Sequence, residues 1–148
     1  MKKVSDSITE MTELVLPNDT NVLGNLMGGN LMRWMDIASA ICASRHCGAH
    51  VVTVSVDHMT FHEPIKLGDI VTIRAKVSRT FNSSMEIFME VFTRSILVAE
   101  PRKSNQAYFT LWHWMTERSG LSLFRPLCLK LRKKKNYLMK QKFVVNFD

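Results

Sequence analysis

The feature that most constrains the fold is one long helical pattern followed by a run of alternating segments. From about Gly29 to His46, apolar residues recur at spacings of four, three and four and trace one helix face: Leu31, Met35, Ala38 and Cys42. A first strand is predicted at 8–17, and four alternating strands at 51–61, 70–80, 85–96 and 106–112. One buried helix with antiparallel strands predicts an α+β domain, with the helix on one face of the sheet.

The net charge of +7 lies in the last part of the chain. Residues 1–110 hold 11 of the 20 basic and 11 of the 13 acidic residues, so residues 111–148 hold the remaining 9 basic and 2 acidic ones. A strongly basic protein suggests a nucleic-acid partner. Because residues 1–110 are neutral, we expect no nucleic-acid partner, and we divide the chain into a domain at 8–110 and a divergent basic tail at 111–148.

The cysteines and the apolar runs indicate a cytoplasmic protein. Cys42, Cys47 and Cys128 are odd in number and lack C-x-x-C spacing, which favours a reducing compartment over a disulfide or zinc framework. No apolar run approaches the ~20 residues that span a bilayer. The basic start of the chain is not followed by the apolar region of a secretory signal. We therefore expect a cytoplasmic chain with no membrane span and no metal site.

The segment NVLGNLMGGNLMRWMD, residues 21–36, carries the chemistry. Gly28 and Gly29 at the helix start leave backbone N–H groups free and let a ligand approach the backbone closely. The partial positive charge of a helix N-terminus could hold an oxyanion formed when a carbonyl is attacked. Asp36, two turns into an otherwise apolar helix, is either a solvent-facing or capping carboxylate, or a general base or nucleophile beside that oxyanion site.

Four ordered blocks make the chain similar to a known family. TNxxGNLxGGxLMxWMD, VVTxSVDxxxF, PIxxGD and SSMEI occur in the order and spacing of the hotdog-fold acyl-CoA hydrolases, or acyl-CoA thioesterases, between about residues 12 and 110. The resemblance implies a hotdog fold, in which a long central helix is wrapped by an antiparallel β-sheet. It also implies a homodimer, or a dimer-based trimer or hexamer, with active sites between protomers. The family's catalytic pair, contributed by opposing subunits, maps to Asn25 and Asp36.

The activity that this resemblance implies is hydrolysis of acyl-CoA to a free carboxylic acid and coenzyme A. Asp36 would activate water or attack the thioester carbon, Asn25 would orient the water or the carbonyl, and the Gly28 and Gly29 backbone would polarise the thioester oxygen. We expect no cofactor, since coenzyme A is part of the substrate and a thioester is already an activated acyl group. The alternative is a non-catalytic module that binds acyl-CoA as a sensor or scaffold. The presence of both Asn25 and Asp36 favours the enzyme.

Likeness to the family also suggests where coenzyme A binds. The strand VVTVSV and the turn RTFNSS would offer hydroxyl and backbone groups to the pantetheine and phosphates through Thr53, Ser55, Ser83 and Ser84. Arg79 and Lys103 could pair with phosphates. Each hydroxyl could equally be satisfied within its own strand or turn, and each basic side chain could simply lie on a solvated face.

The chain departs from the family after Thr110. Relatives usually continue the last strand as YFTFVALD, whereas this chain reads YFTLWHWMT. If the codons for Leu-Trp-His-Trp-Met-Thr are read one base earlier, they encode Val, Leu or Met followed by Ala-Leu-Asp-Asp, whichever synonymous codons are used. We therefore infer that residues from about 111 onward are translated out of the ancestral frame. The alternative is a genuine basic tail that binds nucleic acid or an acidic membrane.

Resequencing of the locus tests this inference. We expect a lesion or sequencing slip near codon 111, and a family-like tail in the overlapping frame. A confirmed, unbroken frame with no family-like tail in the overlapping one would contradict it.

Overall fold

Five strands and one long helix make up the part of the chain that the computed structural model describes, which is residues 3–61, 63–97 and 100–114. In chain order they are β1 (Thr9–Leu14), α1 (Gly28–Cys47), β2 (His50–Phe61), β3 (Asp69–Thr80), β4 (Ser84–Ser95) and β5 (Arg102–Trp114). Short 3-10 turns occupy Val4–Ser7 and Pro17–Asp19. The helix and all five strands were predicted from the sequence, with bounds that differ by a few residues.

Helix α1 ends where its sequence offers a glycine. Gly48 adopts the left-handed conformation with φ of 70°, and its N–H donates to the Ser44 carbonyl at 2.8 Å. A glycine accepts this conformation without steric cost. Arg45 and His46 in the last turn place basic groups near the negative end of the helix dipole.

The strands form one antiparallel sheet in the order β1-β3-β4-β5-β2. Its edges are therefore β1 and β2. Along β3, β4 and β5 the buried residues alternate with partly or fully exposed ones over most of each strand, which means that one face of the sheet is covered and the other is more open. The architecture is the α+β arrangement predicted from the sequence.

The core lies between α1 and the covered face of the sheet. The helix buries seven side chains, which include the four of the predicted apolar face: Leu31, Trp34, Met35, Ala38, Ser39, Cys42 and Ala43. Opposite them lie buried side chains of the central strands, among them Ile73, Ile87, Met89, Phe109 and Leu111. The small residues on the buried helix face let its backbone approach the sheet closely, as their pattern predicts.

Strand β2 does not keep the regular alternation that its sequence suggests. Its pairing with β5 shifts register between Thr53 and Ser55, and again between Asp57 and Thr60. Each shift is a bulge that changes which face the following side chains occupy. As a result Val52 and Val54 are exposed, whereas Val56 packs against the core.

Strand β5 continues past the end of the family-like sequence. It begins at Arg102, earlier than predicted, and extends to Trp114, four residues beyond Thr110. Leu111 is fully buried, and the next residue, Trp112, pairs with Val52 of β2. The alternation of the strand is therefore kept across the residue at which the family pattern ends. The rest of the predicted tail, from residue 115, lies outside the described residues.

Truncation of the core aromatic should destabilise the domain much more than truncation of an exposed one. Phe109 is 1% exposed, whereas Phe81, in the turn before β4, is 57% exposed. We expect Phe109→Ala to lower the free energy of unfolding by about 3–5 kcal/mol, because it leaves a cavity under α1. Phe81→Ala should change it by less than about 0.5 kcal/mol. Urea unfolding followed by circular dichroism measures both, and equal effects would contradict this placement of the core.

Candidate active site

The loop before α1 is held by the side chain of Asn21. Its Oδ1 accepts the backbone N–H of Leu23 at 2.9 Å and of Asn25 at 3.2 Å. Two backbone N–H donors identify that atom as the amide oxygen. The Nδ2 of the same amide has no acceptor among the described residues. Asn21 was not among the residues predicted from the sequence, although an asparagine three residues before a glycine is typical of such a turn.

Asn25 lies beside the start of the helix, in a cleft. Its backbone pairs with Lys66 and with Asn21, whereas its side chain has no hydrogen-bond partner in the described part of the chain. The cleft has a volume of ≈ 270 Å³ and is lined by Asn25, Leu26, Gly28, Leu31, Glu63, Pro64 and Ile65. The structure therefore brings Asn25 and Gly28 together in one cleft.

Gly28 and Gly29 are the first two residues of α1. The first N–H groups of a helix have no acceptor within the helix, so they are available to a ligand. A Cβ added at Gly29 would meet no atom of the described residues within 4 Å. Packing against the described part of the chain therefore does not explain the glycine, and its surroundings there would admit a ligand or another protein surface against the backbone.

Asp36 projects from the exposed side of α1 and is held by a strand residue. The hydroxyl of Thr53 donates to its Oδ1 at 2.6 Å, a short, charge-assisted hydrogen bond. Thr53 lies on β2, the edge strand, so the bond ties the helix to the edge of the sheet. It orients the carboxylate and leaves Oδ2 without a partner among the described residues. Asp36 is thus exposed, which agrees with the interpretation of a solvent-facing carboxylate. The hydrogen bond from Thr53 nevertheless fixes its direction.

The cleft at the start of α1 and the carboxylate of Asp36 are well separated within one chain. Asp36 follows Gly28 by a little over two helical turns, which places it about 12 Å farther along the helix axis. The cleft at Asn25 is lined by residues near the helix start and does not include Asp36. A ligand carbonyl of a few ångströms therefore cannot contact the cleft and Asp36 of the same chain together.

The residues suggested for coenzyme A fall into two places. Thr53 on β2 pairs with Leu111 on β5, which pairs with Met85 on β4. One residue earlier along β5, Thr110 pairs with Ser55 on one side and with Glu86 on the other, and Glu86 pairs with Arg79 on β3. Ser83 and Ser84 lie at the same end of the sheet, where Ser84 pairs with Trp112. The structure thus gathers five of the six residues at one end: Thr53, Ser55, Arg79, Ser83 and Ser84.

Lys103 lies apart from these five. It is eight residues before Leu111 on β5, which is about 27 Å along an extended strand. Its Nζ forms an ion pair with Glu90 Oε1 at 2.7 Å and lies 5.9 Å from the centroid of the Phe88 ring. Within one chain, therefore, Lys103 does not join the other candidate residues.

Two of the five hydroxyls and bases already have partners. The Thr53 hydroxyl donates to Asp36, and the Ser55 hydroxyl donates to Asp57 Oδ2 at 2.8 Å. Arg79 and Ser83 are exposed. The sequence patterns could not separate a hydroxyl used inside the protein from one left for a ligand, because that depends on neighbours in other strands.

Cys42 lies in the core, as predicted. Burial raises the pKa of its thiol, which disfavours the reactive thiolate. Within the described ranges, no three histidine, cysteine, aspartate or glutamate side chains are grouped so that they could hold a metal ion. The described helices include none that is long and apolar enough to cross a membrane.

Comparison with known proteins identifies the family. Residues 23–100 match the model of the thioesterase superfamily. Acyl-coenzyme A thioesterase 11 of Mus musculus is 42% identical over 87 residues, which are 59% of this chain and 15% of that protein. The chain spans about 15% of the length of the first curated relatives it matches.

Solved structures agree with this match. The acyl-CoA hydrolase of Staphylococcus aureus, in complex with butyryl coenzyme A, coenzyme A and coenzyme A disulfide, is 36% identical with a TM-score of 0.73, over 76% of this chain and 68% of that one. Variants of that hydrolase carry alanine in place of its asparagine at position 28, its aspartate at 43 and its threonine at 60. The hexameric thioesterase y2039 of Yersinia pestis is 37% identical with a TM-score of 0.67, over 71% and 85% of the two chains.

The match covers more than half of the chain and includes α1 and β2 to β4, and the neighbouring structures share the helix wrapped by an antiparallel sheet. The chain therefore belongs to the thioesterase superfamily and has its hotdog fold.

Proposed function

We propose that this chain is a thioesterase that hydrolyses acyl-CoA to a free carboxylic acid and coenzyme A, in a site shared by two protomers. The observation that carries the proposal is the hydrogen bond from Thr53 to Asp36 at 2.6 Å, which orients a carboxylate on an open helix face. Without this hydrogen bond, the carboxylate of an exposed aspartate would be free to rotate. Family membership supplies the reaction class.

The spacing of the substituted residues in the Staphylococcus aureus hydrolase supports particular roles. Its asparagine at 28 precedes the aspartate at 43 by 15 residues, and its threonine at 60 follows that aspartate by 17. In this chain the same steps from Asp36 lead to Asn21 and Thr53. This correspondence favours Asn21 over Asn25 as the amide of the catalytic pair. Asn25 then lies beside it, on the wall of the cleft.

The proposed chemistry follows from the free atoms of these groups. Asp36 accepts the Thr53 hydroxyl through Oδ1, so Oδ2 is left to take a proton from water or to attack the thioester carbon itself. The pinned amide of Asn21 presents Nδ2 to the water or the carbonyl. The free N–H groups of Gly28 and Gly29 would stabilise the oxyanion of the tetrahedral intermediate. Collapse of that intermediate breaks the carbon–sulfur bond and releases coenzyme A as the thiol after proton transfer. If Asp36 is the nucleophile, the acyl group is left on it as a mixed anhydride, which water then hydrolyses to the free acid.

A homodimer, or a dimer-based trimer or hexamer, is the proposed assembly. In one chain Asp36 lies about 12 Å along α1 from the helix start that follows the amide loop, so we infer that a second protomer supplies one of the two groups. The exposed side of α1 that carries Asp36 also offers exposed apolar side chains for that contact: Met32, Ile37 and Ile41. Strand β2 is a sheet edge whose outer backbone groups could pair with another strand.

The remaining assignments are proposals of the same kind. Coenzyme A would lie at the end of the sheet that carries Arg79, Ser83 and Ser84, and Arg79 would pair with a phosphate. The ion pair with Glu90 makes Lys103 a weaker candidate in the same protomer. No cofactor is required, and neither a nucleic-acid partner nor a membrane span is expected. A cytoplasmic location fits the free cysteines Cys42 and Cys47.

Release of thiol from acyl-CoAs of several chain lengths tests the proposed activity. We expect turnover by the wild type, and a fall in kcat of roughly 100-fold or more for Asp36→Ala, because the general base or nucleophile is lost. Arg33→Ala, on the same exposed side of α1, is the matched control and should keep most of the activity. No turnover by a folded, assembled wild type would instead favour the binding module.

The structural and chemical roles of Asn21 can be separated by two substitutions. Asn21→Ala removes the acceptor of two backbone N–H groups, so we expect unfolding to become easier by about 0.5–2 kcal/mol. Asn21→Asp keeps the acceptor and should keep the stability. Because Asn21→Asp has no Nδ2 donor, its kcat should fall by roughly 100-fold.

An Asn25→Ala variant is the control for the two Asn21 variants. Its side chain has no partner in the described chain, so Asn25→Ala should leave the free energy of unfolding within about 0.5 kcal/mol of the wild type. Urea unfolding and thiol release are measured on all three variants, together with their mass in solution. If Asn25→Ala loses the activity and Asn21→Asp keeps it, the catalytic amide is Asn25.

A further inference from the structure

We propose that the turn at Asn21–Gly24 seats its two apolar side chains on the surface around Asp36 of the partner subunit, a second copy of this chain, and thereby positions Asn21 against that carboxylate. The inference rests on the proposed shared hydrolase site and adds the contact that aligns its two halves. Val22 and Leu23 are positioning residues in this arrangement, because they act through Asn21 and touch no reacting atom.

The turn is held rigidly from both sides. The Gly24 N–H donates to the Asn21 carbonyl at 3.0 Å, and the Asn21 N–H donates to the Asn25 carbonyl at 2.8 Å. Gly24 has φ of 73°, which a glycine adopts without strain. The N–H of Leu67 donates to the Gly24 carbonyl at 3.0 Å and ties the turn to the segment before β3. The tip cannot fold back onto its own core without losing these bonds.

The tip of this turn is apolar and uncovered. Val22 is fully exposed, and Leu23 is 78% exposed. Single exposed aliphatic residues are ordinary. Two adjacent ones on a pinned turn, directly following the asparagine proposed for catalysis, form a small apolar knob with the amide at its base. Burial against another apolar surface would be favourable for both side chains.

The surface around Asp36 is the complement of that knob. Met32, Ile37 and Ile41 lie with Asp36 on the exposed side of α1, each 38–39% exposed. The carboxylate thus projects from a helix surface that carries three exposed apolar side chains. An apolar surface that surrounds an oriented charge fits a partner that brings apolar groups and one amide donor together.

A second copy of the chain supplies this partner, whereas the same chain does not. The turn lies before the helix start, and Asp36 lies about 12 Å beyond that start along the axis. The knob and the apolar surface are therefore at different levels of one protomer. A twofold arrangement of two copies would bring each knob to the other's Asp36, because an isologous interface repeats the contact.

Mixed assemblies of two inactive chains test the contact. Differently tagged Asn21→Asp and Asp36→Ala chains are co-expressed, and assemblies that carry both tags are purified. One intact Asn21 and one intact Asp36 then meet in the same site, so thiol release is expected to return. Leu23→Ser is added to the Asp36→Ala chain, which supplies the intact amide. We expect the recovered kcat to fall by roughly 10- to 100-fold through misplacement of that amide, with a smaller change in KM.

Three further chains keep the test specific. Leu97→Ser, in the same Asp36→Ala chain, removes a leucine that is 93% exposed in the turn after β4 and should preserve the recovered rate. Leu23→Met should restore most of the loss, because it keeps an apolar tip. Leu23→Ser placed in the Asn21→Asp chain should lower the rate much less, since that knob borders the site without its amide. Thermal unfolding and the mass in solution are measured for every assembly.

The outcomes separate the two levels of the proposal. No hydrolysis by the wild type overturns the proposed function. Hydrolysis by the wild type without recovery in mixed assemblies overturns the shared site, and the knob contact with it. Recovery that Leu23→Ser leaves intact, or that Leu97→Ser removes equally, overturns the knob contact alone. Loss confined to Leu23→Ser in the chain that supplies the amide supports it.

Discussion

Helix α1 buries Met35, Ala38 and Cys42 completely against the covered face of the sheet, and the rest of the structure depends on that contact. The buried face sets the rotation of the helix about its axis, so the opposite side must carry Asp36 into the open. The strands determine what meets it there. β2 brings Thr53 to the carboxylate at 2.6 Å, and this hydrogen bond turns a flexible surface side chain into an oriented one.

The same packing leaves a sheet edge, separated site groups and exposed apolar side chains on the described chain. The cleft at the helix start and the carboxylate are separated along α1, β2 is an edge of the sheet, and apolar side chains are exposed on the side of α1 that carries Asp36 and on the turn after Asn21. These features have a common explanation if two copies complete one another. In that case, exposed apolar residues that would be unfavourable in an isolated protomer are buried where the reaction takes place.

Much of the fold and part of the site could be predicted because local patterns record burial. The spacing of Leu31, Met35, Ala38 and Cys42 predicts the buried helix face, and alternation predicts the strands. The choice between Asn21 and Asn25 could not be made this way. Both are asparagines in the same loop, and the spacing shared with the Staphylococcus aureus hydrolase favours Asn21. Their hydrogen bonds also differ: the Asn21 side chain accepts two backbone N–H groups, and the Asn25 side chain has no partner among the described residues. The ion pair of Lys103 could not be predicted for a similar reason, since its partner Glu90 lies on another strand.

The sequence by itself determined the α+β class, the family likeness, the glycines at the start of α1 and the presence of a carboxylate two turns into that helix. It did so because periodicity and short motifs depend on neighbours within a few residues. Only the tertiary structure decided that β2 shifts register after Thr53, that Thr53 holds Asp36, and that the carboxylate lies outside the cleft at the helix start. Those properties depend on contacts between residues distant in sequence, which form when the helix and the sheet bury their apolar faces together.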